Sequence, residues 1–148
     1  MKSNTLMLLV MAAVLSACAS TQPNVTLSHA DREHANLLIF RQNSAQATLA
    51  DAYIARGDEY FAKLGENQYT VVQVDAGLHE FRAKAHASVS FKTQLSLQPE
   101  ETVCLEARPN HENLHLLVIP FLNALVPSFI LEETGCPSSS RLETMVAV

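Results

Sequence analysis

The feature that most constrains this chain is an alternation of apolar and polar residues between His79 and Leu97. Successive side chains of a β-strand point to opposite faces, so a period of two predicts a half-buried antiparallel sheet. The run is longer than an ordinary strand, and we expect a break near residues 86–90. The apolar parity, predicted to face the core, comprises Phe81, Ala83, Ala85, Ala87, Val89, Phe91, Leu95 and Leu97, and the solvent-facing parity includes Glu80, Arg82, Lys84 and Lys92.

Short apolar or alternating runs bounded by turn residues predict further strands. These runs are 37–40, 52–56, 60–64, 69–74, 103–108, 114–119 and 128–132. We expect residues 60–64 and 69–74 to pair as a hairpin, because the four residues between them suit a turn. About eight short strands separated by Gly, Pro and Asn predict an all-β fold, either an antiparallel β-sandwich or an open barrel.

The N-terminus is typical of a targeting segment. Lys2 supplies a positive charge, residues 6–15 are uninterruptedly apolar, and Leu15, Ser16 and Ala17 precede Cys18. These four residues resemble the lipobox of bacterial lipoproteins, in which the signal peptidase cleaves before a Cys that carries a diacylglycerol and an acylated amino group. The resemblance implies a signal peptide over 1–17 and lipidation at Cys18. The alternative is an ordinary secretory signal, with Cys18 incidental.

The sequence beyond the signal peptide divides into three parts. Residues 18–34 would form the lipidated Cys and a tether, since Ser, Thr, Asn, Pro and charges occur there without a period. Residues 35–136 would form the β-sandwich, and residues 137–148 a C-terminal tail. By resemblance to Gram-negative lipoproteins, Ala19 after the Cys favours the outer membrane, because Asp at that place usually retains a lipoprotein at the inner membrane.

Cys104 and Cys136 remain as an even pair in a compartment that would be oxidising, which favours a disulfide. Cys104 has the outward parity of its strand, while Val103 and Leu105 have the inward one. The alternative is two separate thiols, with Cys104 packed as a small apolar residue.

The net charge of the chain narrows the classes of binding partner that we expect. The chain has 10 Lys and Arg against 15 Asp and Glu, a formal net charge of -5, which argues against nucleic-acid binding. Loss of residues 1–17 would remove Lys2 and no acid, so we do not expect a basic surface patch. The membrane, through the lipid anchor, and an envelope protein are the expected partners.

An apolar stretch over 114–131 is long enough to be considered as a transmembrane helix. Pro120, Pro127, Asn123 and His115 argue against that interpretation, because each proline removes a backbone donor that lipid cannot replace. We expect strand, loop and strand, with the apolar loop 120–127 covering an open end of the sandwich or forming an exposed contact patch.

Residues 111–115 spell H-E-x-x-H, in which two His one helical turn apart bind zinc and the Glu activates water. That chemistry needs a helix, yet Pro109 and Asn110 precede the motif and Pro120 follows it. We therefore expect a polar turn leading into a strand, with neither a metal nor another cofactor. Arg41 and His79 are expected to be half-buried polar groups with fixed hydrogen-bond partners.

A longer resemblance covers about residues 35–132. The apolar strand ending at Arg41, the Gly65 turn, the strand 69–74, and Asp75, Gly77 and His79 are similar to bacterial lipoproteins that carry a domain of unknown function of the "R...g.y..v.v.pG.H" type. Ala76 stands where that family often has Pro. The resemblance implies a β-sandwich on a lipid tether and no catalytic residues.

Three functions remain open. The first is a non-catalytic envelope binding or structural module, anchored in the outer membrane and facing the periplasm. The second is a zinc-dependent hydrolase that uses His111, Glu112 and His115. The third is a carrier of a small apolar ligand, with residues 121–126 as a lid.

Overall fold

The computed structural model describes residues 32–44, 50–113 and 123–148. In these ranges the chain is an all-β sandwich of two packed sheets, which confirms the predicted fold class. The strands are β1 (His34–Arg41), β2 (Ala52–Arg56), β3 (Glu59–Leu64), β4 (Gln68–Asp75), β5 (Gly77–Lys84), β6 (Phe91–Leu97), β7 (Thr102–Pro109), β8 (Phe129–Thr134) and β9 (Val146–Ala147).

Each sheet has its own strand order. The five-stranded sheet runs β8-β7-β1-β4-β9, and the four-stranded sheet runs β3-β2-β5-β6. Neighbours pair antiparallel except for β1 with β7 and β4 with β9, which are parallel. Two short 3-10 helices (His111–Asn113 and Asn123–Leu125) lie between β7 and β8, and a four-residue helix, α1 (Ser139–Leu142), precedes β9.

The sandwich interior is built from the inward parity of both sheets, as the alternation predicts. Phe81 and Ala83 of β5 are fully buried there, in the same cluster as Val103 and Leu105 of β7. The alternating run breaks at residues 85–90, where the expected break lies, and Ala87 takes a positive φ of 60°. The inward assignment of Val89 is wrong, because this residue lies in the connecting loop and is 41% exposed.

Ala87 and Phe91, which the alternation also predicts to face the core, are not fully buried. Ala87 is exposed in the same loop, and Phe91, at the start of the edge strand β6, is half-buried. The outward parity is confirmed: Glu80, Arg82 and Lys84 are half-buried on the outer surface, and Lys92 is exposed.

The predicted hairpin between residues 60–64 and 69–74 does not form. β3 pairs with β2 in the four-stranded sheet, whereas β4 pairs with β1 in the five-stranded sheet. The intervening residues cross from one sheet to the other, and the backbone N–H of Gly65 donates to Gln68 Oε1 at 2.6 Å. The same turn residues therefore make a corner between the sheets. β3 instead forms a hairpin with the preceding strand, β2, through Gly57 and Asp58.

β1 lies in the middle of the five-stranded sheet and is buried on both faces. Leu37 and Ile39 contact the sandwich interior, while Leu38 and Phe40 point to the opposite side. There they form an outer cluster with Tyr69, Cys104, Leu142 and Met145. An uninterrupted apolar run, rather than an alternating one, is the pattern expected for such a strand.

The outer cluster is covered by residues 135–148, which include the segment predicted as a tail. Ser138 caps α1 by accepting from the backbone N–H of Arg141, and Leu142 and Met145 are buried against the sheet. The N–H groups of Val146 and Val148 donate to the carbonyls of Asn67 and Tyr69, both at 2.9 Å. The C-terminal end is therefore part of the folded sandwich.

Cys104 and Cys136 lie at disulfide distance, with Cα atoms 5.1 Å apart, in agreement with the predicted bridge. Cys104 faces away from the sandwich interior, as its parity predicts, but it is only 2% exposed because the C-terminal segment covers it. The bridge thus fastens the beginning of that segment to β7, which lies between β8 and β1 in the five-stranded sheet.

Candidate functional site

The outer face of the four-stranded sheet gathers cations and aromatic rings. Every lysine of the sequence except Lys2 lies on it. We call this surface the lysine–tyrosine face, and it consists of Tyr53, Tyr60, Lys63, Arg82, Lys84 and Lys92. An acidic protein thereby presents a local surface on which cations outnumber carboxylates.

Strand register explains why these residues meet. Tyr53 of β2 lies opposite Lys63 of β3 on one side and opposite Lys84 of β5 on the other. In the neighbouring row, Arg82 of β5 lies opposite Lys92 of β6. Directly opposed residues of antiparallel strands have Cβ atoms about 4.5–5.5 Å apart, close enough for their side chains to interact.

Two of the lysines lie over aromatic rings. Lys84 Nζ is 4.9 Å from the ring centroid of Tyr60, and Lys63 Nζ is 5.8 Å from that of Tyr53. The rings of Tyr53 and His86 are 6.5 Å apart in a tilted arrangement. An ammonium within about 6 Å of an aromatic centroid is attracted by the ring quadrupole, so these contacts orient the lysines along the sheet surface.

Carboxylates balance part of this charge. Lys63 Nζ is 2.8 Å from Asp51 Oδ2. Arg82 donates to Glu80 Oε1 and to Asp58 Oδ1, both at 2.7 Å, and Lys92 Nζ is 3.6 Å from the same Glu80 oxygen. No carboxylate within residues 32–44, 50–113 and 123–148 forms an ion pair with Lys84. Lys84 is thus the cation of the face whose charge is balanced least.

The protonation equilibria follow this geometry. The hydrogen bond from Arg82 holds the pKa of Glu80 below its ordinary 4.5, against a smaller opposing effect of desolvation. The hydrogen bond and charge of Asp51 raise the pKa of Lys63. For Tyr60, desolvation raises the pKa, but hydrogen bonds with Ser90 and Lys84 and the charges of Lys84 and Arg82 outweigh it and lower the pKa overall. Hydrogen bonds with their carboxylate partners raise the pKa of Lys63 and of Arg82, so both stay cationic at neutral pH.

Sequence reasoning missed this surface because it judged basic character from the net charge of the whole chain. The alternation had already placed Arg82, Lys84 and Lys92 on one side of the sheet. The missing step was strand pairing, which adds Lys63, Tyr53 and Tyr60 from β2 and β3. Only the assembled sheet shows that these residues form one surface.

The other candidate residues lie elsewhere. His111 and Glu112 are exposed in a single-turn 3-10 helix, and His115 lies outside the described residues. Cys18, the signal peptide, the tether up to residue 31 and the strand predicted at 114–119 also lie outside them. In the described part of the chain, no three His, Cys, Asp or Glu side chains come together to hold a metal ion.

Arg41 is a buried arginine rather than a half-buried one. It is 1% exposed, and its Nη1 donates to the carbonyls of Ala50 at 2.6 Å and Leu64 at 3.0 Å. Its guanidinium carbon lies 4.8 Å from the ring centroid of Phe129. Desolvation lowers the pKa of Arg41 overall, against the opposing charges of Glu66 and Asp51. These partners indicate that Arg41 joins the two sheets at one end of the sandwich.

His79 has the fixed partner that the sequence predicts. Its Nε2 is 2.8 Å from the carbonyl oxygen of Asp75, and its ring lies 6.2 Å from that of Phe81. The hydrogen bond spans Gly77, whose φ of 134° belongs to a conformation that favours glycine. His79 therefore supports the corner where the chain passes from β4 to β5.

A cleft of about 130 Å³ opens between β3 and β4, where the two sheets meet at an edge. It is lined by Arg56, Glu59, Phe61, Val72, Gln73, Val74 and Phe81. Pockets for drug-sized ligands usually measure about 300–1,000 Å³, so this cleft has room for little more than one side chain. The lid predicted at 121–126 lies partly outside the described residues, and Leu125 within it is exposed.

No helix in the described ranges has the length and apolar character needed to cross a membrane. No protein-family model matches the chain, and no curated protein matches it. The lysine–tyrosine face is therefore the candidate site on the strength of its geometry alone.

Proposed function

We propose that this protein is an outer-membrane-anchored periplasmic lipoprotein of the family that it resembles, and that its β-sandwich is a non-catalytic module that binds another envelope component. The lysine–tyrosine face is its binding surface. The observation that carries this proposal is the concentration of lysines and tyrosines on one exposed sheet face of an acidic chain. Aromatic and long cationic side chains together supply both contact area and charge for recognition.

The anchor is supported by the sequence. An apolar segment leads to Leu15, Ser16, Ala17 and Cys18, and further acyl chains would make attachment stable where a single chain holds only marginally. The sandwich begins at His34, so residues 18–33 are available as the link between membrane and domain.

Cys18→Ser tests the anchor. Without the thiol, no diacylglycerol can be attached, and we expect unprocessed or soluble protein in cell fractionation. A Cys18→Ser protein that is processed and still sediments with the outer membrane would show that the anchor assignment is wrong.

Crosslinking in intact cells tests the binding surface. A photoreactive residue in place of Gln94, exposed on the outer face of β6, is expected to yield adducts with an envelope component. The control carries the same residue in place of Ser140, exposed on the C-terminal segment. Equal adduct formation at both positions would contradict the proposal that the lysine–tyrosine face is the binding surface.

A further inference from the structure

Lys84 is the centre of the lysine–tyrosine face. Its ammonium lies over the ring of Tyr60, and its backbone position is directly opposite Tyr53. Lys63, Arg82 and Lys92 each have a carboxylate partner, whereas the ion pairs of the described residues leave Lys84 with none. A carboxylate ligand could therefore pair with Lys84 without displacing an acid of the protein itself.

Tyrosine rings flank this cation on an open surface. Tyr60 is 46% exposed, and Tyr53 is half-buried beside it. Their rings can pack against the apolar C–H faces of sugars, and their hydroxyls can exchange hydrogen bonds with sugar hydroxyls and acetamido groups. Neighbouring strands are about 4.8 Å apart, and residues on one face of a strand recur every ~6.6 Å. Such a flat grid of contacts suits an extended polymer better than a small molecule.

The position of these cations within the domain indicates where the ligand lies. The tether enters the sandwich at His34, which is paired with Asp75 of β4. β5 begins two residues later at Gly77 and runs to Lys84, so Lys84 lies about 23 Å along the sheet from that end. Tyr53 and Lys63 share the remote row with Lys84. This arrangement indicates that the ligand is a polymer beyond the anchoring leaflet rather than a lipid headgroup of that leaflet.

We infer that the lysine–tyrosine face binds a carboxylate-bearing glycan of the cell wall, with Lys84 pairing with a carboxylate and Tyr53 and Tyr60 contacting the sugars. This inference rests on the proposed function, because the anchor at Cys18 determines which end of the domain faces away from the membrane. It goes beyond the proposed function by naming the class of ligand.

The test is co-sedimentation of the full-length protein, in a nonionic detergent, with purified peptidoglycan sacculi. We expect saturable binding at low ionic strength that weakens as salt is added, because exposed charge pairs are screened. Sacculi whose carboxylates have been converted to amides are expected to bind at least about fivefold more weakly. Mixed micelles containing phosphatidylglycerol are included as a competitor and are expected not to displace the sacculi.

Variants with matched controls locate the contact. Lys84→Gln is expected to lower the binding constant about 5–10-fold and Lys84→Glu more than about tenfold, while Lys84→Arg retains most of the binding. Arg141→Gln removes one positive charge from the exposed side of α1, over the other sheet, and is expected to stay within about twofold of the original protein. Equal denaturation midpoints of the variants show that the fold is intact.

Four results would overturn the inference: no binding to sacculi, binding unchanged by amidation, equal effects of Lys84→Gln and Arg141→Gln, or displacement by the phosphatidylglycerol micelles. If crosslinking at position 94 still gives adducts that position 140 does not, the envelope-binding function stands and only its ligand class is wrong. If those adducts are absent as well, the proposed function itself fails.

Discussion

The outer faces of the two sheets contrast in what covers them. The five-stranded sheet presents Leu38, Phe40 and Tyr69 outward, and the C-terminal segment buries them under Leu142 and Met145. The four-stranded sheet presents lysines and tyrosines outward, and no described segment covers them. One face is thus a second small core, and the other is a surface available to a ligand.

This contrast shows how a small sandwich separates stability from recognition. Burying apolar side chains on both sides of β1 removes extra apolar area from water, at roughly 25 cal/mol per Å². The cost is that a length of chain must be ordered over the sheet, and the Cys104–Cys136 bridge limits that cost by holding the start of the segment in place. The lysine–tyrosine face is left free to vary with little effect on folding.

The largest expected effect on stability comes from a substitution in the interior that both sheets share. Phe81→Ala removes a fully buried ring from β5 and should lower the free energy of unfolding by about 3–5 kcal/mol through lost burial and a cavity. Lys84→Ala, three residues along the same strand but on the outer face, should stay within about 0.5 kcal/mol. Chemical denaturation of both variants measures this difference, and equal midpoints would contradict the assignment of the two faces.

Removing the disulfide tests what holds the C-terminal segment over the five-stranded sheet. Cys136→Ala removes the exposed half of a bridge that spans 32 residues, and the free energy of unfolding should fall by up to about 3–4 kcal/mol in the chain-entropy model. The amides of Val146 and Val148 should lose hydrogen-exchange protection before those of β1, because the segment can then open locally. Unchanged protection at both amides would mean that apolar packing alone holds the segment. Peptide mapping without reductant checks the bridge itself.

The smallest expected effect is a change in the pKa of Glu80, on the lysine–tyrosine face. Glu80 has its pKa held below 4.5 chiefly by the hydrogen bond from Arg82, so its ion pairs contribute above the pKa of the unfolded chain and are lost as pH falls through the lower folded pKa. NMR titration of the Glu80 carboxyl should give a midpoint below 4.5, and Arg82→Gln should move it upward. An unmoved midpoint would indicate that Arg82 is not the cause.

The predictability of the fold from sequence depended on the element. The alternation from Phe81 to Lys84 assigned both faces of β5, because a strand buried on one side has no other stable register. The residues around Gly65 predict a hairpin that does not form, because local turn chemistry is the same whether the next strand joins the same sheet or the opposite one. Only long-range packing decides between those two paths.

The candidate site was less predictable than the fold, because it depends on pairing between strands. Lys63 and Lys84 are far apart in the chain and become neighbours only through Tyr53 of β2. The outer cluster was hard to predict for a similar reason, because it too depends on contacts between distant parts of the chain. Four consecutive apolar residues in β1 imply burial on both faces, but the sequence does not say that residues 137–148 supply the cover.

The buried Arg41 has a consequence for how the domain can be altered. Arg41 is the last residue of β1, and its side chain donates a hydrogen bond to the carbonyl of Ala50, just before β2 begins. This bond joins the end of β1 to the start of β2. The guanidinium also binds the carbonyl of Leu64 in β3, so one side chain links the end of β1 to the other sheet. A substitution at Arg41 should therefore loosen the link between the two sheets, whereas an outward-facing residue such as Lys84 can be exchanged without touching it.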